Sequence, residues 1–171
     1  MKRLLTLDKG NYTPEMPVHI KYSTRAIIVR DGRIAAQRGD AGDYKLLGGG
    51  VEESETVREA LCREVQEESG LVIIPDSICE IGEVLERRRD LFEQGVVYEC
   101  HSLVFSCEVQ EGMTETKMTQ SEIDKGFRMV WATPEEIMRG NEPFCESQPW
   151  SYRDREIVRL LWKDGEMRYD G

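Results

Sequence analysis

The sequence predicts an α/β protein, a single domain in which helices pack on a mixed β-sheet. Three observations lead there. A chain of 171 residues is long enough for one domain with a real core and too short for two ordinary ones. Apolar runs at 24–30, 33–38, 79–88, 96–109 and 127–131 read as strands, several of them paired as antiparallel hairpins. Among and after these strands, residues 56–69 and 152–162 repeat with helical period.

Taken in order, "TRAIIVR" (24–30) and residues 33–38 are joined by Asp31-Gly32, a dipeptide suited to a two-residue hairpin turn. The glycines of "LLGGGVEE" (46–53) then interrupt regular structure. From 56 to 69, Val57, Ala60, Leu61 and Val65 share one helical face. Thr56 followed by Glu59 forms a capping box at its start, and Gly70 is a natural C-terminal stop. A short apolar strand is expected at 71–74, then a long hairpin whose arms, 79–88 and 96–109, flank "RDLFEQG". "FRMVW" (127–131) makes another strand, and "TPEE" (133–136) opens a short helix, with Thr at the cap and Pro at the first position. The last helix carries Ile157, Val158, Leu160 and Leu161 on one side.

Composition narrows the function. Hydrophobic residues at 39% and charged residues at 33% describe a globular chain. A net charge of −10 disfavours non-specific binding to nucleic acid or anionic membrane, so neither is expected as a partner. Cysteines at 62, 79, 100, 107 and 145 lack the short spacing of a zinc site, and their odd number fits poorly with a disulfide framework. Reduced thiols, an N-terminal apolar run too short for a signal peptide and no membrane-length stretch predict a cytoplasmic protein.

The helix at 56–69 has an unusual end. Its apolar positions span an arc of roughly 140° at about 100° per residue. Glu64 and Glu68 fall inside that arc, with Glu67 near its edge. Glu64 and Glu68 also form a like-charge i,i+4 pair, at a cost of about 0.2–0.5 kcal/mol. All three oppose the helix dipole, at about 0.3–1 kcal/mol each. A divalent cation removes these penalties together, and an all-oxygen donor set favours Mg²⁺ or Mn²⁺ over zinc. Gly48, Gly49 and Gly50 let bare backbone approach such an ion or a phosphate.

Gly49, five residues, Glu55, seven residues, Arg63-Glu64-Val65, one residue, Glu67-Glu68, one residue, Gly70-Leu71 resembles the complete Nudix box. Seven identities plus two hydrophobic positions arise by chance on the order of once in a billion windows. The order of elements from about 20 to 140 is similar to that of the Nudix family as well. The resemblance implies a Nudix fold, an α/β/α sandwich around a mixed β-sheet, spanning 1–171 as a single domain. Residues 1–20 would be an N-terminal extension and 141–171 a C-terminal extension carrying the terminal helix. It implies a metal-dependent hydrolase that cleaves the diphosphate of a nucleoside diphosphate derivative. Glu64, Glu67 and Glu68 would hold Mg²⁺ or Mn²⁺, with the Gly48 carbonyl as a further ligand. Gly49, Glu55, Arg63 and Gly70 would be structural, Arg63 pairing with Glu55, or by spacing with Glu59 or Glu67. Water would attack phosphorus, with a box glutamate (Glu64 or Glu67) or a later one, Glu122, as general base; Glu99 and Glu115 are rivals. Proline is common in the family where this chain has Leu47, a change that bears on the stiffness of the glycine loop.

Arg25 and Arg38 lie in strands that line the substrate cleft in the family, and either could fork a phosphate. "RRR" (87–89) reads as a hairpin-end charge cluster. Glu99, His101, Leu103 and Phe105 alternate onto one strand face, and "CESQPWSYRDR" (145–155) sets aromatics near arginines. Candidate substrates are nucleoside triphosphates, placed slightly first, sugar nucleotides such as ADP-ribose, and dinucleoside polyphosphates. A homodimer is among the assemblies the resemblance allows. The alternative is a Nudix-fold module that senses a nucleotide or metabolite without cleaving it; such modules commonly lose box glutamates, and this box is intact.

Overall fold

The computed structural model describes residues 1–162 and the backbone of 163 and 166–167. In chain order the elements are β1 (Arg3–Asp8), β2 (Val18–Ile27), β3 (Val29–Arg30), β4 (Arg33–Arg38), β5 (Tyr44–Leu46), α1 (Val57–Ser69), β6 (Cys79–Arg89), β7 (Val97–Ser106), α2 (Gln120–Asp124), β8 (Arg128–Ala132), α3 (Pro134–Asn141), α4 (Pro149–Leu161) and the short pair β9 (Trp162–Lys163) and β10 (Glu166–Met167).

A mixed four-stranded sheet runs β1-β6-β7-β2. The β6–β7 hairpin at its centre is antiparallel, while β1 on β6 and β2 on β7 are parallel. In a second, antiparallel sheet, β4 pairs with β3 and β5, and also with β8. The two sheets meet where β2 gives way to β3. There, alternation of side chains does the sorting. Ile27, Ile34 and Ala36 face a core closed by Ile137 of α3 and by Ile157, Val158 and Leu161 of α4. Ala26, Ile28 and Ala35 face a second core, closed by Leu61 and Val65 of α1. Helices thus cover both faces, and the expected α/β/α arrangement holds.

Three expectations change in detail. The strand foreseen at 24–30 starts at Val18 and splits: residues 18–27 pair with β7, and only 29–30 form the hairpin with β4. The turn is as expected, with Asp31 (φ 50) and Gly32 (φ 70) both left-handed. Residues 71–74 make a single bridge, Ile73 with Val109, rather than a strand; Leu71 and Ile73 are buried as part of the second core instead. A short apolar run reads the same in either setting. The last helix begins at Pro149, a favoured first position, three residues before its apolar repeat shows. All five cysteines are free thiols. Among the described residues no helix is long and apolar enough to cross a membrane.

Candidate active site

Helix α1 forms as its sequence dictates. The Thr56 side chain accepts from the Glu59 N–H while the Glu59 carboxylate takes the Thr56 N–H, completing the capping box. Gly70, left-handed at φ 74, ends it. Its last turn contains no basic residue, so the dipole is left uncompensated by the helix itself.

The box closes on Arg63. Its Nε and Nη2 fork onto Glu55 at 2.9 and 2.6 Å. Nη1 reaches Glu64 at 2.8 Å and Glu67 at 3.3 Å, and Nη2 also donates to the Gly50 carbonyl at 3.1 Å. Of the partners the spacing allowed, Glu59 is absent, being engaged in the cap. Hydrogen bonds from Arg63 hold the Glu55 carboxyl down at about 2. The glycine loop packs against these carboxylates: a Cβ on Gly49 would overlap the Glu64 carboxylate, and Gly48, at φ 130, has no room for one against the Thr24 carbonyl.

Glu68 turns the other way and is only 4% exposed. The Gly48 N–H donates to its Oε2 at 2.8 Å, and Lys45 Nζ, from β5, lies 3.6 Å from Oε1. Burial pushes this carboxyl up to about 8, against the opposing pull of Lys45 and Gly48. Lys45 also bonds Glu122 at 3.0 Å. Glu122 is the third residue of α2 and closes a capping box on Thr119. Burial pushes its carboxyl up, but the Thr119 N–H and Lys45 outweigh this and bring it to about 2.

Among the described residues no three His, Cys, Asp or Glu side chains converge closely enough to enclose a metal as they stand. Glu64 and Glu67 are spent on Arg63, and Glu68 on Gly48 and Lys45. The donor set still fits a hard divalent cation. It is all oxygen, it includes a buried carboxylate that resists ionisation without a stronger counter-charge, and a side-chain-free glycine lies against another.

A cavity of about 860 Å³ opens beside this cluster, lined by Glu64, Gly50 and Val57 on one side and by β2 and β7 on the other. Arg25 lines it, 8% exposed. Arg38 does not: it is exposed at the end of β4, its guanidinium 5.8 Å over the Tyr44 ring. Glu99 is bonded to His101 and Arg87. Glu115 lies in a small pocket with Glu67 and Lys117. His101 sits between Glu83 and Glu99 and stacks on Tyr22. The "RRR" run alternates. Arg87 covers Tyr12, whereas Arg88 is buried against Glu86 and Tyr98.

Sequence reasoning passed over two residues. Lys45 gave no signal in a strand of three residues. Arg153 did give one: it sits four residues before Ile157 on the apolar face of α4, and it is buried at the cavity.

The comparisons agree with this geometry. The profile of the NUDIX domain family matches residues 21–160. The chain belongs to that family, whose members hydrolyse nucleoside diphosphate derivatives. A MutT-like protein of Streptomyces ambofaciens is 29% identical over 136 residues, 78% of this chain and 77% of its own. The fold is that of a MutT NUDIX hydrolase from Burkholderia pseudomallei (TM-score 0.59, 21% identity, 84% of this chain and 99% of that one). A NUDIX hydrolase from Nitrosomonas europaea is similar to the same degree (TM-score 0.58, 18% identity, 89% and 98% covered).

Proposed function

We propose that the protein is a divalent-metal-dependent pyrophosphohydrolase of a nucleoside diphosphate derivative, with nucleoside triphosphates the first candidates ahead of sugar nucleotides and dinucleoside polyphosphates. The observation that supports this best is the intact box folded onto its own glycine loop, with Glu64 facing a large cavity and Glu68 buried beside Gly48. Glu64, Glu67 and Glu68, with the Gly48 carbonyl, would hold Mg²⁺ or Mn²⁺. Such an ion, when bound, lowers the pKa of water and neutralises charge on phosphoryl oxygens. Arg63, fixed by Glu55, keeps Glu64 and Glu67 from splaying apart. Arg25 takes a phosphate oxygen in the cavity. Glu122, ionised at neutral pH and separated from Glu68 by Lys45 alone, accepts the proton of the attacking water.

The test is a screen of nucleotides for release of phosphate or pyrophosphate with Mg²⁺, for wild type and Glu67→Gln. Loss of one ligand should cost at least the roughly 10–100-fold known for residues that merely support ligands. Nucleotide binding with no turnover of any substrate would overturn the hydrolase and favour a sensing module.

A further inference from the structure

Two arginines form the floor of the main cavity, and between them they hold more donors than the protein uses. Arg25 enters from β2 and Arg153 from α4, 8% and 4% exposed, while Ile20 and Tyr22 of the same cavity are 55% and 51% exposed. The apolar side chains therefore form the rim and the guanidiniums the floor. Asp154 lies between them. Its Oδ1 accepts from Arg153 Nε at 2.8 Å, and its Oδ2 is taken by the Leu46 N–H at 2.9 Å. Arg25 Nε stands 3.9 Å from that same Oδ1, beyond hydrogen-bond range, and has no hydrogen-bond partner among the described residues. Glu86, the other acid beside Arg153, is 3.9 Å from it and already bonded to Arg88 at 2.9 Å. Three guanidiniums thus share two carboxylates, in a place where burying an unpaired donor is costly.

A strut between α4 and the sheet would need one arginine facing one acid. Two like charges pressed together with a donor to spare make a poor strut and a good receptor for an oxyanion. Two planar forks suit the several oxygens of a phosphate better than the two of a carboxylate. A neutral sugar would leave the donors unsatisfied. The seat and the box share one space: Glu64 lines the same cavity, and Gly48 abuts the Arg25 backbone.

We propose that Arg25 and Arg153 together seat a phosphate of the substrate that the box glutamates do not engage. The seat selects nucleotides ending in a free phosphate, as nucleoside triphosphates do, over sugar nucleotides whose far end is neutral. The selection rests on the hydrolase reading; the anion seat itself does not.

The test keeps the two apart. The full chain in EDTA is titrated with inorganic phosphate, by calorimetry and thermal unfolding, against sodium chloride of equal ionic strength. Wild type should be protected by phosphate beyond the chloride control. Arg153→Gln and Arg25→Gln should each bind phosphate at least about tenfold more weakly, the loss expected for a charge-assisted hydrogen bond, with Arg153→Lys in between. With Mg²⁺, Arg153→Gln should raise KM for a nucleoside triphosphate by a similar factor, about tenfold, more than for a sugar nucleotide. Wild type showing no protection beyond chloride, or Arg153→Gln binding phosphate as tightly as wild type, would overturn the seat. Where Arg153→Gln fails to fold, wild type and Arg153→Lys decide. Phosphate binding without nucleotide turnover upholds the seat and sinks the hydrolase; turnover without phosphate binding sinks the seat alone.

Discussion

Replacing Glu68 by Gln should make the metal-free protein more stable while blunting its response to Mg²⁺. Burial moves the Glu68 carboxyl from 4.5 to about 8, so at neutral pH folding must draw a proton onto a group that is ionised in the unfolded chain. Across about 2.5 pH units, at about 1.36 kcal/mol each, that costs roughly 3 kcal/mol as an upper bound. Glutamine keeps the shape and an acceptor for the Gly48 N–H, and it has no charge to desolvate. The pull of Lys45 is already contained in that value, so after the cost of burying the glutamine amide a gain of about 1–3 kcal/mol remains, or roughly 2–10 °C in Tm for a domain of this size. The sign fixes the pH window. A raised carboxyl penalises folding only above its unfolded pKa, so the penalty is absent below 4.5, grows from there and is complete by about 8. Thermal unfolding in EDTA should therefore show wild type and Glu68→Gln converging near the lower limit and separating towards the upper one. Saturating Mg²⁺ should then stabilise wild type more than the variant. A difference that does not change with pH, or a variant less stable than wild type at the alkaline end, would refute the reasoning.

Other outcomes follow from the same geometry. Glu122→Gln keeps a side chain that can complete the capping box of α2 but removes the charge that Lys45 pairs with, so Tm should fall at neutral pH. Measured where the variant is still folded, kcat should fall by about 100-fold or more if Glu122 is the base. Unchanged kcat would leave it a role in capping alone. Gly49→Ala introduces a Cβ against the Glu64 carboxylate, so activity and metal affinity should fall by at least about tenfold while the metal-free fold survives. Activity at the wild-type level would show that Glu64 need not stay where it is. Glu55 and Glu122, both held near 2, contribute stability that is full above 4.5 and lost as pH falls from there towards 2. Urea titrations of Glu55→Gln across that range should show a shallower acid limb than wild type, and an identical limb would count against the Arg63 pair.

Much of this was legible in the sequence because it depended on local spacing. The α1 caps, the Asp31-Gly32 turn and the inward lean of Glu64 and Glu68 each follow from residues within one or two turns of each other. What was not legible depended on where distant segments meet. Residues 3–8 carry no strong strand pattern and become β1 only because the edge of β6 is there to receive them. Lys45 matters because β5 brings its side chain to Glu68 of α1 and Glu122 of α2, which spacing alone could not show. Arg153 is the instructive case. The angular test that exposed Glu68 applies equally to α4, where Arg153 and Asp154 precede Ile157 and Val158 by four residues and lie with them on the buried face.

The two cations that hold the carboxylates are not equivalent. Arg63 is locked: Glu55 grips it through a fork, and the Gly50 carbonyl takes another of its donors. A planar guanidinium held this way keeps Glu64 and Glu67 in place whether or not an ion is present. Lys45 has one flexible stem, one full hydrogen bond, to Glu122, and a looser contact with Glu68. An ammonium group is a movable point charge, so on the proposed reading it would yield Glu68 to a divalent cation while keeping Glu122 as its counter-ion. The proposed site is therefore braced but not closed, with its permanent brace on the arginine side and its exchangeable charge on the lysine side. Glu68, the carboxylate left to the weaker partner, is pushed up by its burial, and the pull of Lys45 does not offset that.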